Sequence, residues 1–266
     1  MADSLFVPSG DLWLPTELSR GPWSPHALHG GPVAALLVRA AEQVPSDGPM
    51  PVARVTVELL RPVPLSPLSV RSRVARPGRK VQLAEISLHA GESEVARATV
   101  LRIRHFDLAI PPGAAALAGG APIEAPDDLA RTQPAWVEGG DAPLAFHSHA
   151  TEHRVVRGSW GEPGPIVDWI RLRVPVVPGE SPSPAQRVAA VADFGNGISS
   201  VLPFDRYVFI NPDLTIHLNR MPEGEWICLD AATHLGDRGA GLAESALYDR
   251  RGRIGRAVQS LILDRR

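Results

Sequence analysis

The chain has 266 residues, of which 44% are hydrophobic, and a formal net charge of -2. That is enough to bury a real core, as one large domain or two ordinary ones, and it excludes a disordered chain. The balanced charge, with no long run of one sign, argues against nucleic acid or an anionic membrane surface as the main partner, and the single cysteine, Cys228, excludes an intrachain disulfide or a thiolate-built metal site. Met1-Ala2-Asp3-Ser4 lacks the basic and apolar regions of a secretory signal, and no apolar segment approaches ~20 residues. The expectation is a cytoplasmic protein with no membrane span.

Leu5 to Trp23 reads as a short strand pair with turns at Ser9-Gly10 and Arg20-Gly21-Pro22. His29-Gly30-Gly31-Pro32 then opens a helix through Ala41 that is apolar on almost every face. Four strand-like runs follow, Val52–Leu60, Leu68–Ala75, Val81–Leu88 and Val95–Ile103, separated by turns short enough to make them antiparallel. From 107 to 141 the composition shifts to Pro, Ala and Gly without periodicity, which marks a linker with room for one helical turn at Asp127–Arg131. Phe146–Trp160 and Val167–Val177 read as strands. Ser183-Pro184-Ala185-Gln186 starts a second buried helix with the residues of a capping box, and Gly195 is placed to end it in a left-handed turn. Four more strands, Val208–Leu218, Glu225–Thr233, Gly241–Leu247 and Ile254–Leu263, complete the chain.

Helix followed by four strands thus occurs twice. Leu83-Ala84-Glu85-Ile86-Ser87-Leu88 aligns with Leu242-Ala243-Glu244-Ser245-Ala246-Leu247, and without a gap Val95-Ala96-Arg97-Ala98 falls on Ile254-Gly255-Arg256-Ala257. Internal duplication explains this most simply. Each helix is too apolar to stand exposed, so each sheet wraps its own helix and the two sheets pair or pack. The fold class is α+β with two pseudo-symmetric halves: 1–106, a linker over 107–141, and 142–266.

Asp193 falls in the last turn of the second apolar helix. A carboxylate there is costly to bury unless it is held or does work. It reads either as a helix-end residue bonded to the Gly195-Asn196-Gly197 turn or as a catalytic base. The Gly30 and Gly31 N–H groups open the first helix, where free donors and the helix dipole favour negative charge and glycine admits a substrate closely. If the halves pack as a pseudo-dimer, the helix start of one faces the carboxylate of the other. His29 either contacts substrate or bonds the preceding loop. His147, His149 and His153 alternate along one expected strand and so share a face. That face reads as solvated rather than metal-binding, because no acidic or cysteine cluster accompanies it.

The pattern resembles the double hotdog fold and is similar to the acyl-CoA thioesterase II family. The residues that carry the likeness are Gly30-Gly31 at the helix start, Leu60-Arg61-Pro62 at a strand end, Asp193 at the second helix end, and Val258-Gln259 on the last strand. The resemblance implies a double hotdog that hydrolyses acyl-CoA thioesters without a cofactor or metal. It further implies that Asp193, Gln259 and a hydroxyl-bearing residue bind and activate the attacking water. The hydroxyl position falls on Asn211, which holds a water by hydrogen bonds but cannot act as a threonine would; Thr215 or Thr233 substitutes only if the strand register differs. The expected site is therefore Asp193, Gln259 and Asn211 for catalysis, with His29, Gly30, Gly31 and Thr215 binding substrate. In the first half Val38 takes the place of Asp193 and Val100 that of Gln259, so only one composite site is complete. Two other readings stay open, a non-catalytic acyl-CoA-binding hotdog protein and a hotdog enoyl-CoA hydratase or dehydratase. The latter chemistry wants an Asp–His pair in one short motif, and no histidine closely follows Asp193. The fold allows a monomer or further pairing through sheet edges as a homo-oligomer.

Overall fold

The computed structural model describes residues 3–114, 123–132 and 143–266. A small hairpin, β1 (Phe6–Ser9) and β2 (Leu12–Pro15), precedes α1 (Gly30–Glu42). Strands β3 (Val52–Leu59), β4 (Ser69–Arg76), β5 (Val81–Ala90) and β6 (Ser93–Ile103) complete the first half. The second half holds β7 (Thr151–Arg157), β8 (Ile166–Leu172), α2 (Pro184–Ala192), the short α3 (Gly195–Ile198), β9 (Tyr207–Ile210), β10 (Asp213–Leu218), β11 (Ile227–Leu235), β12 (Ala240–Asp249) and β13 (Gly252–Arg265). The expected linker lies partly outside the described residues. Its described part includes a 3-10 turn at Pro126–Asp128, close to the expected helical turn.

The two halves form one antiparallel sheet in the order β4-β5-β6-β3-β10-β13-β12-β11-β8-β7, with β9 paired to β13. β3 joins β10, and the order reads alike outward from that seam. The duplication seen in the residues holds at the level of register: Ala84 pairs Val100 in one hairpin and Ala243 pairs Gln259 in the other. Both hairpins carry a β-bulge at the same place, between Leu88 and His89 and between Leu247 and Tyr248.

The helices pack against each other and against the inner face of the sheet. Val33, Ala35, Leu37 and Val38 of α1 and Val188 to Ala192 of α2 are fully buried, as helices apolar on all sides must be. Gly31 lets the two helices approach: a Cβ there would lie 2.3 Å from the Ala190 carbonyl oxygen. Each helix also carries an acid at its C-terminal end that meets the other's N-terminus. Glu42 accepts from Ser183 Oγ and Gln186 Nε2, both at 2.7 Å. Ser183 caps α2 by accepting the Gln186 N–H at 3.1 Å, but the Gln186 side chain turns to Glu42 instead of closing a capping box.

Three local expectations are corrected. Gly195 does not end a helix in a left-handed turn; its φ is not positive and it begins α3 directly after α2. Residues 146–150 form one π-helical turn before β7, so His147 and His149 do not share a strand face with His153. The run from Val208 to Leu218 breaks at Asn211-Pro212, because proline has no N–H for the ladder.

Arg220, between β10 and β11, clamps the buried Asp249 at the end of β12 through both terminal guanidinium nitrogens, Nη1 and Nη2. Burial alone would push the Asp249 carboxyl up. The Arg220 guanidinium and the N–H groups of Glu223 and Arg251 outweigh burial and hold it below the usual carboxylate range. Asp249→Ala is expected to cost about 3 kcal/mol at neutral pH in denaturant unfolding, because Arg220 loses its partner. The folded carboxyl titrates below its unfolded value of about 4, so this stability is present above that value and drains away as pH falls through the window beneath it. Wild type and variant should therefore converge in acid; a gap that persists there contradicts the assignment.

Candidate active site

Asp193 is the C-cap of α2 and is buried, with 5% of its surface exposed. Burial of an ionised group requires partners, and three side chains from distant parts of the chain supply them. Asn211 Nδ2 donates to Oδ1 at 2.9 Å and to the Asp213 carbonyl at 3.0 Å. Gln259 Nε2 donates to the same Oδ1 at 3.2 Å and to the Asp193 carbonyl at 3.3 Å, while Gln259 Oε1 accepts the Asn196 N–H at 3.1 Å. Oδ2 lies 2.9 Å from His29 Nδ1.

His29 is the N-cap of α1, and its Nδ1 also accepts the Gly31 N–H at 3.1 Å. One ring nitrogen serves one of these partners at a time: protonated it donates to the carboxylate, and unprotonated it accepts from Gly31. The ring packs against Phe146 and Phe194, at 5.0 and 4.9 Å between centroids, and the two phenyl rings stack on each other at 5.5 Å. His147 stands nearby and is buried. Burial, and then the charges of His29, His153 and His149, push its pKa down to about 3, so it adds no positive charge here at neutral pH.

The N-terminus of α1 and the acid end of α2 are in direct apposition. A Cβ on Gly30 would fall 2.6 Å from Asp193 Oδ2 and 2.8 Å from Oδ1, so only glycine fits. The break between β9 and β10 frees Asn211 from strand alternation and turns it toward Asp193. Gln259 sits on the inward face of β13 and reaches Asp193 past Gly195, where a Cβ would come 2.8 Å from Gln259 Oε1.

A cavity of about 1220 Å³ opens beside this cluster. Asp193, His29, Gly30 and Asn211 line it, as do the apolar side chains of Trp23, Phe194, Phe204 and Phe209. The structure thus brings together Asp193, Gln259, Asn211, His29 and Gly30, with Gly31 behind them at the helix contact. Thr215 is corrected: it faces the other side of the sheet, 3.4 Å from Thr56 Oγ1, because β10 alternates and Leu214 and Ile216 take the inner face. Thr233 is bonded to Ser199 at 2.8 Å. Val38 is the wrong counterpart for Asp193, since the acid at that end of α1 is Glu42; Val100 does match Gln259 in register.

Two features escape a reading of the sequence. Asn196 fixes the Gln259 amide, and only its place just after Asp193 hints at this. Behind Phe194, His153 bonds the fully buried Asp168 at 2.8 Å and Thr151 at 3.0 Å, and Asp168 also holds Trp160 Nε1 at 3.1 Å. Among the described residues, no cluster of three or more His, Cys, Asp or Glu side chains is arranged to hold a metal ion.

Gln259 Nε2 thus meets Asp193 at both its carbonyl and its carboxylate, which fixes the side chain of the acid. Gln259→Leu is expected to lower kcat by about 10²-fold with little change in KM, through the loosened Asp193 side chain. A raised KM at unchanged kcat contradicts that role.

No curated protein matches this chain. Solved structures do. A candidate thioesterase II from Thermobifida fusca YX superposes with a TM-score of 0.76 at 18% identity, covering 99% of this chain and 96% of that one. The acyl-CoA thioesterase II TesB2 of Mycobacterium marinum gives 0.66 at 14% identity over 97% and 94%. A conserved protein with a hotdog fold from Alicyclobacillus acidocaldarius gives 0.74 at 16% identity over 98% and 97%. At these identities the likeness is one of fold, and the fold is the double hotdog. The model of the acyl-CoA thioesterase N-terminal domain matches residues 19–103 and that of the C-terminal domain matches residues 111–263. Matched by both domain models in their natural order, and over more than half its length by one of them, the chain belongs to the acyl-CoA thioesterase family.

Proposed function

We propose that the protein hydrolyses acyl-CoA thioesters with a water activated by Asp193. The observation that carries the reading is the apposition of this carboxylate with the N-terminus of α1. A carboxylate offers about four acceptor positions. Asn211 and Gln259 occupy Oδ1, and His29 faces Oδ2, leaving a position on Oδ2 for water beside Gly30. The Asn211 side-chain carbonyl offers that water a second hold.

The water oxygen attacks the thioester carbonyl carbon as its proton passes to Asp193. Negative charge develops on the carbonyl oxygen, where the Gly30 N–H and the positive end of the α1 dipole stabilise it. The intermediate collapses, the C–S bond breaks, and the CoA thiolate takes the proton from Asp193. The products are a free acid and CoA, and the base is restored. The two halves, 1–106 and 142–266, work as one unit here, because each supplies part of the site.

The test is thiol release from butanoyl-, octanoyl- and hexadecanoyl-CoA. Turnover of at least one supports the reading, and turnover of none at saturating substrate rejects it. A second reading, hydration of an enoyl-CoA, is favoured by one observation: His29 supplies from the other half the histidine partner that the residues after Asp193 lack. Loss of enoyl absorbance from an unsaturated acyl-CoA without thiol release would select it.

A further inference from the structure

The two glycines of α3 have opposite surroundings. At Gly195 a Cβ would press on Gln259 Oε1 at 2.8 Å and on Ser245 Oγ at 2.9 Å, so its smallness serves the amide that holds Asp193. At Gly197 a Cβ would meet nothing within 4 Å. Its φ is not positive, so the backbone does not call for glycine either, and glycine is a poor helix former. Neither packing nor conformation explains the residue. Gly197 is exposed, and what it faces is the cavity beside Asp193.

The cavity wall around it is mostly apolar: Phe194, Ile198, Leu202 and Phe204 come from the same stretch of chain, with Asn196, Ser200 and Asp205 among them, while the arginines of the cavity, Arg20, Arg61 and Arg266, come from other parts of the chain. Such a wall suits a hydrocarbon rather than the phosphate-bearing end of CoA. The volume, about 1220 Å³, is above the usual range for small-molecule sites and leaves room for a long chain.

We infer that Gly197 is left bare to let a long, straight acyl chain pass over α3, and that the side chain at this position sets the largest acyl group the site takes. The inference rests on the thioesterase reading for its substrate class. The position is a specificity determinant, distinct from the residues that hold the water.

The test compares wild type, Gly197→Ala and Gly197→Leu with butanoyl-, octanoyl- and hexadecanoyl-CoA. Two quantities are read: kcat/KM for hydrolysis, and affinity by quenching of tryptophan fluorescence, since Trp23 and Trp160 line the cavity. Gly197→Leu should lower the hexadecanoyl-to-butanoyl ratio at least tenfold in kcat/KM, with Gly197→Ala between it and wild type. The affinity ratio should move the same way. The thermal midpoint of Gly197→Ala should not fall, because alanine favours the helix and its Cβ meets open space. An unmoved ratio overturns the inference, as does an equal loss for all three chains. If wild type binds these thioesters without hydrolysing them, the catalytic reading fails while the affinity ratio still decides this one. Binding of none of them overturns both.

Discussion

Replacing Asp193 by asparagine is expected to lower kcat for thioester hydrolysis by about 10²–10⁴-fold, the usual worth of a positioned base. The amide fills the same space. Its oxygen still accepts from Asn211 and Gln259, and its nitrogen can donate to an unprotonated His29 Nδ1. What it cannot do is take a proton from water. The fold should therefore survive, with a thermal midpoint close to that of wild type, while turnover goes. Steady-state thiol release alongside thermal unfolding separates the roles. Activity above about a tenth of wild type would remove Asp193 from the chemistry. Loss of activity together with loss of fold would make it a structural acid.

Gly31→Ala should destabilise the fold strongly. Helix propensity alone favours the change by about 1 kcal/mol. Contact decides the other way. The new Cβ would lie 2.3 Å from the Ala190 carbonyl oxygen and 2.9 Å from Phe146 Cε1. The first obstacle is the backbone of a fully buried helix, which cannot move aside without parting α1 from α2. We expect a net loss of about 3 kcal/mol, at the upper end for overpacking, and a midpoint lower by roughly 6–12 °C. Gly197→Ala is the internal control, since the same methyl there meets open space. An unchanged midpoint for Gly31→Ala would mean that the helices are not in contact at Gly31.

The fold is legible in the sequence because its determinants are local and repeated. Two all-apolar helices with clear starts, strands with short turns, and hairpins that align residue for residue together require a sheet wrapped around a pair of helices. Alignment of Ala84 with Ala243 carries the register that puts Gln259 on the inner face opposite Ala243. Apposition of Gly30 with Asp193 follows from the pseudo-symmetry alone. What stays hidden depends on departures from alternation and on long-range pairing. Nothing local shows that Phe146–Ala150 winds into a π turn. Thr215 suits the site by residue type, but one strand position decides which side of the sheet it faces. For His29 the sequence suggests a substrate contact, because it holds no sign that the ring reaches Asp193 across the pseudo-dyad. Apolar pattern pairs Val38 with Asp193, whereas the geometric counterpart is Glu42, whose carboxylate is taken up by Ser183 and Gln186. The asymmetry between the halves thus has a physical form: one acid faces the bare glycine of a helix start and a cavity, and the other is bonded by the cap of its neighbour.

The most direct measurement is a single turnover of acyl-CoA with enzyme in excess, run in heavy-oxygen water, followed by mass analysis of the released acid and of the peptide containing Asp193. Attack by a solvent molecule held on Oδ2 puts the label in the acid on the first turnover and none in the side chain. Label in the Asp193 carboxylate, or an unlabelled first product, would mean that this carboxylate attacks the thioester itself, and hydrolysis by an Asp193-activated water would be refuted.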